Sequence, residues 1–346
     1  MICTKDTEIA FAGVNLVLKS TPSALAPALR NQFASTALTS WLPEIQPAPS
    51  WIPLRISEGV TKIMPVLPEA ILYPHLMQSI CQRITENTLV EWEKKPYELT
   101  GVEVDDQALH IIQVAISTTQ PLPSTLGRAI HAQCFQWLAI ADTALAAHLH
   151  QQDSLPITLA MRYSSSQKLH LRISLLQKEL LAPLLWGLST NLGGEITLAG
   201  IPCRLGKCID ILQASSFEQL ARIPAQNVVE LKFLSPTSFK QGRVIQPFPL
   251  PDLVFGSLLR RWNIFAPVEL HFSPVEWNAL ISAFELKTYA LKMAGGAEIG
   301  AEGWVRYRFL DPEKSRIATI LAHFAEFAGV GRKTAMGMGQ VVVRNS

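Results

Sequence analysis

The chain has 346 residues, of which 48% are hydrophobic and 17% charged, and its formal net charge is only +2. That suits a globular protein of two or three domains with ample core. No apolar run reaches the roughly 18–20 residues that span a bilayer. The opening Met1-Ile2-Cys3-Thr4-Lys5-Asp6 lacks the basic and then apolar pattern of a secretory signal, so a cytoplasmic chain is expected.

Five cysteines stand at 3, 81, 134, 203 and 208. Only Cys203 and Cys208 are close, and no second pair or histidine cluster completes a zinc site, so idle thiols in a reducing compartment are expected. Charge is unevenly spread. Residues 1–108 are acidic in balance and residues 201–346 basic. A basic C-terminal part suits an acidic polymer, although a solvated surface has the same look.

In chain order, "EIAFAGVNLVLKS" reads as a strand. "LAPALRNQFASTALTSWL" and "ILYPHLMQSICQRITENTLVEW" read as helices around the Pro-rich break "PEIQPAPSWIP". "LTGVEVDDQ" reads as a linker. Residues 1–108 suggest neither a fold nor a function. From there a pattern emerges: strand Leu109–Thr118, helix Ser124–His150 with a break near Asp142, strands Ile157–Tyr163 and Lys168–Leu175, helix Leu180–Asn191, strand Glu195–Leu205. It repeats as strand Asn227–Phe239, a helix from Pro251-Asp252, an additional short helix in "HFSPVEWNALISAF", strands Leu286–Met293 and Gly303–Leu310 with a long glycine-rich connection, a helix capped by Asp311-Pro312, and strand Gln340–Arg344. Each half is β-α-β-β-α-β, the ferredoxin-like unit. The expected class is α+β: an unassigned region 1–108, then ferredoxin-like domains over 109–212 and 213–346.

The last helix runs into "FAGVGRKTAMGMGQVVV", with glycines at 329, 331, 337 and 339 around Arg332-Lys333-Thr334. A Walker loop is excluded, since no G-K-[ST] precedes a helix. The dinucleotide fingerprint is excluded because position 334 is Thr. The remaining pattern, G-x-G-x5-G-x-G between helix and strand, allows positive φ and close backbone approach. It suits an anion-binding nest with Arg332 and Lys333 on phosphates. A plain helix cap, turn and bulge gives the same pattern.

This loop resembles the signature of the CRISPR-associated RAMP endoribonucleases that process precursor CRISPR RNA. "LKFLSPTSFKQGRVIQPFPLPDLVFGSLLRRWN" and "GWVRYRF" are similar to the family's C-terminal domain. "LHIIQVAISTTQPLPSTLGRAIHAQCFQWL", followed by "LAAHLH", is similar to its N-terminal start. The resemblance covers about 109–346. Residues 1–108 depart from the family, whose members usually begin near that first strand.

The resemblance implies an endoribonuclease that needs neither metal nor cofactor and cuts CRISPR repeat RNA into mature guide RNAs. The 2′-hydroxyl attacks the adjacent phosphate, leaving a 2′,3′-cyclic phosphate and a 5′-hydroxyl. Histidine suits the two proton transfers and arginine the extra charge on phosphorus. The family's catalytic histidine follows the first helix in a Leu-His pair, which implies His150. Arg128, at the start of the same helix, is the matching cation. His148 and Lys168 are further catalytic candidates. Gly329, Gly331, Arg332, Lys333, Gly337, Gly339, Arg260, Arg261, Arg306 and Arg308 are the positions expected to bind RNA. His131 reads as a packed helix residue beside Phe135. His75, His110, His170, His271 and His323 carry no argument beyond structure, and Trp304 and Tyr307 are expected to pack. The alternative is a non-catalytic RNA-binding subunit of a CRISPR effector complex, which needs the glycine loop but no His–Arg pair. Residues 1–108 could in either case bind another protein.

Overall fold

The computed structural model describes residues 13–20, 35–54, 60–85, 89–123, 126–293 and 296–344. The N-terminal stretch supplies β1 (Gly13–Ser20), β2 (Ser35–Ala37), β3 (Ser50–Leu54), β4 (Val60–Val66), α1 (Tyr73–Thr85), β5 (Leu89–Trp92) and β6 (Lys95–Asp105). Three expectations are corrected here. Residues 89–92, the end of the second expected helix, are the strand β5. Residues 35–40 of the first expected helix form β2 and a 3-10 turn, while residues 25–34 of that segment lie outside the described residues. The expected linker 99–107 is largely β6, which pairs with β1 and β5. Only one side of β6 is covered: Leu99 and Val102 pack on the core formed by Val14, Leu16 and Leu18, while Glu98 and Glu103 are exposed. A strand buried on one side and acidic on the other reads as polar chain.

Next come β7 (Leu109–Ser117), α2 (Gly127–Ala141), α3 (Thr143–His150), β8 (Ile157–Ser165), β9 (Lys168–Leu175), α4 (Leu181–Ser189), β10 (Glu195–Leu198) and β11 (Ile201–Ser215). The expected single strand Glu195–Leu205 is a hairpin, turned by positive φ at Ala199 and Gly200. The order β11-β7-β9-β8 is antiparallel throughout. β3 lies beside β11, with Leu54 opposite Ile209. The N-terminal strands, in order β2-β5-β6-β1-β4-β3, thus extend the same sheet. Ile52, Met64 and Val66 are buried in the core under α2 and α4.

A short α5 (Phe217–Ala221) leads to β12 (Val228–Thr237), the small hairpin β13 (Phe239–Gln241) and β14 (Val244–Gln246), α6 (Pro251–Phe265), β15 (Leu280–Met293), β16 (Gly296–Arg308), α7 (Pro312–Ala328) and β17 (Val341–Arg344). The second sheet has the order β15-β16-β12-β17. Asp311 caps α7 by accepting from the N–H groups of Glu313 and Lys314, with Pro312 in the first turn.

The short helix expected in 271–284 does not form. Asn263 of α6 accepts from the Phe272 N–H at 3.0 Å and donates to its carbonyl at 2.8 Å, standing in for a neighbouring strand. Trp277 packs on Phe255 and Phe309. These contacts hold the chain extended until β15 begins. The long connection expected between the hairpin strands is also corrected, because β16 runs through it. A Cβ on Gly303 would lie 2.0 Å from the Glu285 carbonyl oxygen, so glycine there marks close strand approach.

β7 joins the halves. Ile112, Val114 and Ile116 belong to the first core, and Leu109 and Ile111 to the second, alongside Ile317, Leu321 and Phe324 of α7. α7 is buried around most of its circumference, which is why its sequence is apolar beyond a single stripe. Among the described residues no helix is long and apolar enough to cross a membrane.

Candidate RNA-cleavage site

α2 and α3 form a bent pair. The break falls at Asp142, which leaves helical geometry (φ −150°) and caps α3 by accepting from the Leu145 N–H at 2.9 Å. The fold-back carries His150, the last residue of α3, to the first turns of α2. The His150 ring lies 4.1 Å from that of Phe135 and 5.9 Å from that of His131, centre to centre. His131 does pack on Phe135, at 4.6 Å, but it also faces His150.

His131 Nδ1 lies 3.1 Å from the Ala335 carbonyl oxygen in the glycine-rich loop. A carbonyl only accepts, so Nδ1 carries the proton and Nε2 of the neutral ring keeps its lone pair. Burial, opposed by that hydrogen bond and aided by the charge of His150, holds the His131 pKa below its ordinary value. Arg128 and His131 stand one helical turn apart, a spacing that places both on one side of α2 and was the one available sign of His131 in the sequence.

Arg128 is exposed in the first turn of α2, and no described residue forms an ion pair with it. The preceding Leu126 provides no side-chain cap, so the positive end of the helix adds to the Arg128 charge. Gly127 must be glycine: a Cβ there would lie 2.1 Å from the Met336 carbonyl oxygen. The loop thus closes directly onto α2.

All four loop glycines have positive φ. At two of them a side chain is also excluded by contact. A Cβ on Gly339 would meet the Val330 carbonyl oxygen at 2.1 Å, and one on Gly331 the Ser238 carbonyl oxygen at 2.3 Å. The loop is pinned by Val330 N–H to the Gly339 carbonyl, Arg332 N–H to the Ser238 carbonyl and Gly339 N–H to the Pro236 carbonyl. It is tied to the first half by Thr158 Oγ1, which donates to the Ala328 carbonyl at 2.9 Å.

Several expected RNA-binding cations have partners within the protein. Arg261 donates to the Ala328 carbonyl, to Thr334 Oγ1 at 3.0 Å and to the Leu155 carbonyl at 2.9 Å. Burial lowers its pKa to about 10, still protonated at neutral pH. These bonds make it a pin between the halves. Arg332 and Lys333 both meet Glu298, which also accepts from Ser238 Oγ at 2.8 Å. Burial alone would raise the Glu298 pKa. The hydrogen bonds from Lys333 and Ser238 and the two positive charges outweigh it and hold that carboxyl low. Arg306 pairs with Glu230 at 2.8 Å, as does Arg344 at 3.0 Å, and both lie over the Trp304 ring. Arg260 and Arg308 are exposed. Of the remaining candidates, His148 is exposed and meets Gln152 at 3.1 Å. Lys168 is exposed at the start of β9, and no observed contact joins it to the histidine pair.

These elements border a groove of about 1200 Å³. Gly127 and Arg128 line it from α2, Met161 and Tyr163 from β8, and Lys333, Met336 and Gly337 from the loop. The second sheet adds Leu234, Tyr289 and Glu302. Among the described residues no group of three or more His, Cys, Asp or Glu side chains is placed to hold a metal ion.

Comparison with known proteins follows this geometry. Residues 231–341, from β12 through the glycine loop, match the family model for the CRISPR-associated endoribonuclease Cas6. A curated CRISPR-associated endoribonuclease Cas6 of Mycobacterium tuberculosis is 30% identical over 143 residues, which are 38% of this chain and 45% of that protein. The match thus spans less than half the length of the curated relative. A solved Cas6 product complex superposes with a TM-score of 0.63 at 26% identity, covering 69% of this chain and 100% of its own. A Thermus thermophilus Cas6 gives 0.53 at 25%, covering 69% and 99%. The fold is similar to that of these solved Cas6 chains, and the glycine loop lies within the residues that the family model matches. The proteins this chain resembles are thus the Cas6 endoribonucleases.

Proposed function

We propose that this protein is a metal-independent endoribonuclease that cuts CRISPR repeat RNA. In this reading residues 109–212 and 213–346 are tandem ferredoxin-like domains, and 1–108 is an accessory region whose described strands extend the sheet of the first. The chain works in the cytoplasm, alone or within a CRISPR effector complex. The observation that carries the reading is the closure of the glycine loop onto α2: its Ala335 carbonyl meets His131, which faces His150, and its Lys333 and Met336 share a groove with Arg128. His131, its Nδ1 proton engaged with Ala335, offers Nε2 to take the 2′-hydroxyl proton. His150 returns a proton to the leaving 5′-oxygen. Arg128 and the positive end of α2 stabilise charge on the phosphorane. The loop glycines bring backbone N–H groups near the phosphates, with Arg332, Lys333, Arg260, Arg306 and Arg308 as a surrounding positive field.

The test is cleavage of labelled repeat RNA in EDTA, with a second substrate carrying 2′-deoxyribose at the scissile nucleotide. Wild type is expected to cut the first and not the second. His150→Ala is expected to lose about 100-fold or more in rate while still binding. Binding without cutting by wild type would sink the enzyme reading in favour of a non-catalytic RNA-binding subunit. Full activity in His150→Ala would remove that residue alone.

A further inference from the structure

By the two-residue period of strands, Glu298 and Glu302 on β16 and Glu230 on the adjoining β12 share one face of the second sheet. Two of them are satisfied. Glu230 holds Arg306 and Arg344, and Glu298 holds Ser238, Arg332 and Lys333. Glu302 differs. Lys287 stands opposite it across the hairpin, yet no described residue forms a hydrogen bond or ion pair with the Glu302 carboxylate. Burial pushes its carboxyl up, with nothing opposing the shift. Its side chain lines the groove that Arg128 and Lys333 also line, and it is the one carboxylate among the described residues that does so.

A carboxylate in a groove that takes a polyanion repels phosphate and lowers non-specific affinity. Its compensating use is to accept from donors, and in RNA the donors are on base edges. Two carboxylate oxygens match two adjacent N–H donors. Guanine N1–H and N2–H₂ form such a pair on the Watson–Crick edge. Cytosine and adenine put a lone amine beside an acceptor nitrogen, and uracil flanks one N–H with two oxygens. That edge is open only in unpaired RNA. Tyr289, 46% exposed and also lining the groove, supplies an aromatic face on the same hairpin.

We propose that Glu302 is a specificity residue that reads an unpaired guanine in RNA lying along the groove. This rests on the RNA-cleavage reading of the site. The test is selection of a randomised single-stranded RNA library on the full-length wild type and on Glu302→Gln, followed by binding of the winning sequence with inosine at each guanine. Wild type is expected to enrich guanine at one position. Inosine there, which lacks N2–H₂, should weaken wild-type binding about tenfold and leave Glu302→Gln unchanged. The inference is overturned if Glu302→Gln selects the same guanine. It also falls if the variant simply binds every sequence more tightly, which would make the carboxylate a repulsive charge only. Should the variant fold poorly, the wild-type inosine series still decides, because insensitivity at every guanine overturns the assignment. If wild type retains no RNA at all, the proposed function falls along with this inference, a result distinct from RNA binding without base preference.

Discussion

The two halves of the molecule return from second helix to last strand in different ways. After α4 the chain closes on its own sheet: Gly193 N–H donates to the Gly206 carbonyl, and Leu205 N–H to the Gly194 carbonyl, each at 3.0 Å. After α7 the equivalent connection spans residues 329–340 and reaches across to the other half. Its Met336 carbonyl meets Gly127, its Ala335 carbonyl meets His131, and its Gly337 lies against Met161. One topological position is a local turn in the first half and a clasp in the second. His131 and His150 belong to the first half and the loop to the second, so they come together only where the halves close.

The strongest way to break this contrast is one methyl group in each connection. Gly339→Ala adds a Cβ 2.1 Å from backbone oxygen at φ 73°. The loop must rebuild, and cleavage is expected to fall about 100-fold or more as the site loses alignment. In Gly193→Ala the nearest atom is Lys207 Cγ at 3.2 Å, on a flexible side chain. That change carries the positive-φ penalty of about 1 kcal/mol and should leave cleavage intact. Rates and melting curves of the two variants, measured side by side, check this. Equal losses would mean that the clasp has no special place in the site.

Removing the pin beneath the loop is the next largest effect. Arg261→Met leaves the Ala328 and Leu155 carbonyls and Thr334 short of a donor. Urea unfolding should show a loss of about 2–4 kcal/mol. Arg261→Lys should not restore it, since one ammonium cannot span three acceptors as the guanidinium fork does. An unchanged unfolding midpoint together with weaker, less salt-dependent RNA binding would instead make Arg261 a phosphate ligand.

The element order from Leu109 onward was legible because both halves alternate period-two and period-3.6 patterns between turn residues. The Leu149-His150 pair and the glycine loop stood out for the same local reasons. What failed was set by distant chain. Residues 99–105 of β6 read as a linker because their pairing with the distant β1 makes them a strand. Residues 271–279 look helical until Asn263 and the rings of α6 hold them extended. Arg261 reads as a surface cation, since nothing nearby in sequence reveals the carbonyls of Leu155 and Ala328. His131 reads as packing on Phe135, four residues away, and it does pack there, while His150 and Ala335 reach it only through the fold. Glu298 and Glu302 sat in a stretch read as connection, so their strand face was hidden.

The smallest effect tests whether His131 belongs to the chemistry that the clasp assembles. Burial holds its pKa below 6.5, so the neutral ring dominates at neutral pH. A base must be neutral to accept a proton. Single-turnover cleavage by wild type should therefore show no decline as pH falls to 6.5 and decline only below it. Stability follows the same sign. A histidine whose folded pKa is depressed adds stability that is present above the unfolded value of 6.5 and is lost as pH falls through the lower folded value. His131→Gln should remove both slopes together. A rate that already declines above pH 6.5, or an acid limb that survives in His131→Gln, would assign the base role elsewhere and leave His131 as the residue that anchors Ala335.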